Sequence, residues 1–113
     1  MVNKQQNSNI YNEKDLKYIP VLCATLDKKY MDGIVYNSET CKANGFYLQK
    51  KGYLWELIYV ENRIHYTDIN IIDKYASILD ACVSFICKKS DTDDEMIELL
   101  NDFLKKIVRI ELS

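Results

Sequence analysis

The chain has 113 residues, 48% of them hydrophobic, and its 15 basic and 17 acidic side chains give a net charge of −2. That composition suits one small domain with a core of its own. It lacks the basic excess on which sequence-independent nucleic-acid binding rests, so direct DNA or RNA contact is not expected.

Residues 1–9 are polar and are expected to form a disordered tail, with a single domain over residues 10–113. The tail has no apolar core of the kind a secretory signal requires. No apolar run approaches the ~18 residues of a membrane span. The expected location is therefore the cytoplasm. The four cysteines, Cys23, Cys41, Cys82 and Cys87, then read as reduced, small core residues rather than as a disulfide framework.

Across residues 12–30, Leu16, Ile19, Cys23, Leu26 and Tyr30 recur at helical steps of three and four. Pro20 interrupts the pattern by removing a backbone donor. A helix starting at Pro20, a helix kinked there, and a strand through residues 21–26 all fit. Asp32-Gly33 marks a turn, residues 34–36 suit a short extended piece, and residues 37–44 read as loop.

Residues 45–67 carry three runs rich in aromatic and β-branched side chains, separated by Lys51-Gly52 and by Glu61-Asn62-Arg63. The spacing predicts a three-stranded antiparallel meander, with a fourth strand possible from the preceding segment. In the middle strand Trp55, Leu57 and Tyr59 share one face and Glu56, Ile58 and Val60 the other. The first set is expected to pack beneath helices, and His65 to sit on the third strand facing solvent or a partner.

A helix is predicted from Ile71 to Lys88, capped by Asp68 or Asn70. Its apolar stripe runs through Ile72, Tyr75, Ala76, Leu79, Cys82, Val83 and Ile86, which makes it the central helix. A last helix opens at Thr92-Asp93-Asp94-Glu95, a capping box in which Glu95 can reach back. It continues through Met96, Leu99, Leu100, Phe103, Leu104, Ile107 and Val108. The fold class is α+β: a three- to four-stranded antiparallel meander, an N-terminal helical region and two C-terminal helices on the sheet.

No catalytic, cofactor or metal site is assigned. His65 is the one histidine, and no nucleophile-elbow glycines surround Ser77, Ser84 or Cys41. The cysteines lack the close pairing of structural zinc sites. An enzyme is therefore not expected. Between Ser90 and Asp102 lie six acids and no base. They either complement the helix N-terminus or form a docking patch for a basic partner. Nine tyrosines either mark an interface or reflect compositional bias. The candidate partner-binding residues are Asp91, Asp94, Glu95, Glu98, Asp102, Tyr53, Tyr59 and His65.

The runs Gly45-Phe-Tyr-Leu-Gln-Lys50 and Trp55-Glu-Leu-Ile-Tyr-Val-Glu-Asn-Arg63, followed by a helix with Asp80-Ala81-Cys82, resemble small bacterial immunity proteins of contact-dependent and polymorphic toxin systems. The resemblance covers about residues 45–86. It departs from the family pattern in lacking a glycine in the second turn. It implies a cytosolic inhibitor that binds one cognate toxin, often a basic nuclease, with Glu95, Glu98 and Asp102 mimicking phosphates. The alternative from another class is a regulatory or adaptor domain, including a phage-encoded inhibitor, also acting by protein contact. Neither needs a cofactor or a membrane, and an exposed strand edge would also allow a homodimer.

Overall fold

The computed structural model describes residues 11–26 and 44–112. The expected tail, the turn at Asp32-Gly33, the extended piece at residues 34–36, Tyr30 and Cys41 lie outside them. The described elements are α1 (Glu13–Leu26), β1 (Gly45–Lys51), β2 (Leu54–Asn62), β3 (Thr67–Tyr75), α2 (Ile78–Lys89) and α3 (Asp93–Glu111). The strands form one antiparallel sheet in the order β1-β2-β3. This is the expected α+β meander with helices at both ends of the sequence.

α1 is a helix with Pro20 inside it. Its start is fixed by a reciprocal cap: the Asp15 N–H donates to Asn12 Oδ1 at 2.8 Å and the Asn12 N–H donates to Asp15 Oδ2 at 2.9 Å. Pro20 and Leu16 are both exposed, so the carbonyl that loses its proline partner lies on the side open to water. That placement lets the helix run through the proline.

β1 and β2 pair from Gly45↔Val60 to Lys51↔Leu54. The two-residue loop between them is Gly52-Tyr53. Gly52 has φ 62, and among the described residues no non-glycine has positive φ, so the loop has the positive φ at its first position that a type II′ hairpin requires.

β3 corrects the sequence reading. The strand begins at Thr67 rather than Ile64 and continues to Tyr75, through residues expected to open a helix. His65 therefore lies in the Arg63–Tyr66 loop and not on a strand. The β2–β3 register shifts between Leu57↔Asp73 and Ile58↔Ile71, leaving Ile72 as the extra residue of a β-bulge. α2 starts at Ile78, and its cap is Ser77, whose Oγ accepts from the N–H groups of Leu79 at 3.2 Å and Asp80 at 3.3 Å. Asp68 and Asn70 pair with β2 instead.

α2 is the central helix. It packs on all three strands and on both other helices, while α1 and α3 also pack on each other. Leu48, Trp55 and Leu57 meet Cys82, Phe85, Ile86, Leu22 and Phe103 in the main core. Trp55 and Leu57 thus lie beneath helices as expected. Both faces of β2 are buried, because Tyr47, Ile58 and Val60 form a second apolar cluster. Of the described cysteines, only Cys82 is core. Cys23 and Cys87 are exposed, which corrects the expectation that they pack inside.

Candidate protein-binding surface

α3 begins as its sequence specifies. Thr92 Oγ1 accepts from the Glu95 N–H at 3.1 Å. The Glu95 carboxylate reaches back one residue further than the expected box, accepting from the Asp91 N–H at 2.7 Å. Glu95 is thereby committed to closing the helix start, where its charge also meets the positive end of the helix dipole. Asp102 is paired too, with Lys106 one turn on at 2.9 Å. The expected continuous ridge of Glu95, Glu98 and Asp102 is thus broken at both ends. Asp91, Asp93, Asp94 and Glu98 are all exposed.

The position of this acidic corner follows from α2. Lys88 Nζ lies 5.9 Å from the Phe46 ring centroid, and Lys89 Nζ lies 5.8 Å from that of Tyr47. The C-terminus of α2 therefore sits over the start of β1, which pairs with the last part of β2. Three residues join α2 to α3, so the start of α3 lies toward the same end as the Arg63–Tyr66 loop, while α3 itself packs on α1 and α2 rather than on the strands.

That loop carries Ile64, 93% exposed, and Tyr66, 62% exposed, on either side of His65. Its shape is held by the Arg63 N–H donating to the Tyr66 carbonyl at 2.8 Å and by Thr67 Oγ1 donating to Asn62 Oδ1 at 2.9 Å. Arg63 bridges Glu61 at 2.8 Å and reaches to 3.8 Å from Asp68. An isoleucine and a tyrosine presented on a braced loop are suited to anchoring in a partner's pocket.

Of the eight candidate residues, the fold brings Asp91, Asp94, Glu98 and His65 to this end, together with Glu95 in its capping role. Tyr59 lies in the same half of β2, but it is half-buried and packs edge-on to Phe46 with ring centroids 5.0 Å apart. Tyr53 is exposed at the opposite hairpin, about 30 Å away along the nine residues of β2. Ile64 and Tyr66 were missed by sequence reasoning because they were assigned to a strand; the signal was two large apolar side chains beside a turn.

Also missed was a buried polar cluster at the other end of the sheet. Asp15, 1% exposed, accepts hydrogen bonds from Trp55 Nε1 at 2.9 Å and from Lys50 Nζ. Burial pushes the Asp15 carboxyl up, but the Lys50 hydrogen bond, the Asn12 N–H, the Trp55 N–H and the Lys50 charge outweigh it and hold the group below its ordinary 3.8. The Tyr11 ring meets Trp55 at a tilt of 49° with centroids 5.8 Å apart, and its hydroxyl is pushed up by burial and by the Asp15 charge. Among the described residues no buried side-chain nitrogen or oxygen lacks a hydrogen-bond partner, and the bonds from Trp55 and Lys50 to Asp15 make the cluster a tie between α1 and the sheet.

Among the described residues no group of three potential ligands could hold a metal ion, and no helix is long and apolar enough to cross a membrane. No protein-family model, curated protein or solved structure matches the chain.

Proposed function

We propose that this protein is an immunity protein, acting in the cytoplasm by binding a basic toxin domain and blocking it through direct contact. The observation that carries the reading is that the exposed acids Asp91, Asp93, Asp94 and Glu98 and the exposed anchors Ile64 and Tyr66 lie toward the same end of the sheet. Acids steer a cationic partner and raise the association rate. Apolar anchors that become desolvated on docking then supply most of the affinity. The resemblance of residues 45–86 to immunity proteins points the same way. Only Glu98 of the three expected phosphate mimics is exposed without an assigned cap or ion pair, so inhibition is better served by the whole corner than by that ridge.

The test is capture of tagged protein from its native cells at moderate salt, with mass spectrometry of the retained material. The expected result is one stoichiometric partner containing a basic domain whose toxicity is relieved on co-expression. Recovery of a metabolic enzyme or a transcription complex in that role would instead establish the regulatory alternative.

A further inference from the structure

α3 presents a second surface, which shares only Glu98 with the acidic corner proposed to meet a toxin. Its inner face carries Phe103 and Ile107 into the core. On its outer side Ile97, Leu104 and Val108 are 54%, 41% and 55% exposed. With the exposed Asn101 they fall at steps of four, three and four. This is the d-a-d-a alternation of a coiled-coil seam, with Asn at an a position, where one polar residue fixes register at some cost in stability. Lys105, Arg109 and Leu112 border the shallow groove formed by Asn101, Leu104 and Val108.

The charges beside the seam select the occupant. Glu98 and Lys105 each follow a d residue and so lie on the same flank, seven residues apart. The helix as a whole is acidic in its first turn and basic toward its last. It is therefore complementary to itself reversed. In an antiparallel pair, Ile97 meets Val108 of the second copy, Asn101 meets Leu104, and Glu98 faces Lys105, each contact occurring twice about a two-fold axis. The two helix dipoles also oppose one another in that arrangement. A parallel pair would instead place Asp93 against Glu98 and bring both acidic ends together, which is repulsive.

We infer that this protein self-associates through α3 as an antiparallel two-helix dimer with Ile97, Asn101, Leu104 and Val108 at its seam. A contact of four layers is at the small end of specific interfaces, so weak, concentration-dependent association is expected. The inference is independent of the identity of any toxin.

Sedimentation velocity over about 1 μM to about 1 mM of the full chain tests it, with circular dichroism melts to confirm that each variant folds. The expected result is a concentration-dependent monomer–dimer equilibrium. Leu104→Glu should weaken it at least about tenfold by placing a charge in the seam. Glu98→Lys should weaken it by bringing a second positive charge against Lys105 of the other copy, and Glu98→Lys combined with Lys105→Glu should restore it. A monomer at the highest concentration, a dimer indifferent to Leu104→Glu, or a charge exchange that fails to restore association would each overturn the inference.

Discussion

The indole N–H of Trp55 donates to the Asp15 carboxylate across 40 residues of sequence, at 2.9 Å, with both side chains buried. The same carboxylate caps α1 through the Asn12 N–H and pairs with Lys50, the cross-strand neighbour of Trp55. One side chain thus fixes where α1 begins and where that beginning sits on the β1–β2 hairpin.

Removing either charge of this tie leaves the other buried without its partner. Asp15→Ala and Lys50→Met should each destabilise the fold by about 3–5 kcal/mol in urea titrations. Their combination should cost less than the sum, because the residues share one network. Additive losses would show that the two groups act separately.

The acid limb of stability should carry the signature of Asp15. Its folded carboxyl ionises below its unfolded value of 3.8, so the protein binds fewer protons there when folded. The resulting stabilisation is complete above about pH 5 and is lost as the pH falls through the lowered folded value. Urea midpoints between about pH 2 and 6 should decline at the acid end, and Asp15→Asn should flatten that decline.

Thiol chemistry should separate the cysteines. Burial is the main influence pushing the Cys82 thiol up, to about 12, with the Asp15 and Cys23 charges acting in the same direction. Its thiolate is therefore scarce near neutral pH, and its sulfur is covered by core side chains. Iodoacetamide followed by peptide mass spectrometry should modify Cys23 and Cys87 in the native protein and Cys82 only after denaturation.

Thr92→Ala should cost about 1 kcal/mol by removing the acceptor for the Glu95 N–H. Glu95→Gln should lower stability by less, since an amide oxygen can still accept from Asp91. A Glu95 variant that weakened partner binding without any stability change would place Glu95 in the interface after all.

The start of α3 was legible because its determinants are local: Thr92 and Glu95 are three residues apart and specify the cap without help from the rest of the chain. The meander was legible from the period-two pattern of Trp55 to Val60. The β3–α2 boundary was not, because Ile72 is a bulge residue. Inserting it breaks the alternation of Ile69, Ile71, Asp73 and Tyr75 and leaves Ile71-Ile72-Tyr75-Ala76, whose spacing is that of a helix. The misplaced boundary then hid the loop that exposes Ile64 and Tyr66. The Asp15–Lys50–Trp55 tie joins residues 35 and 40 apart, which no local pattern reports. Two partial signals existed: Asn12 and Asp15 at capping-box spacing, and a core tryptophan whose N–H needs an acceptor.

The activity proposed for this protein is the binding of a basic partner by one end of the sheet, acidic on α3 and apolar on the Arg63–Tyr66 loop. Its most direct test is quantitative capture from native cells with three baits compared by isotope-labelled mass spectrometry: wild type, Asp94→Asn with Glu98→Gln, and Ile64→Ser with Tyr66→Ser. One basic partner should be retained by wild type, fall about tenfold with the neutralised acids in a salt-sensitive manner, and be lost with the loop variant. Equal retention of the partner by all three baits would contradict it.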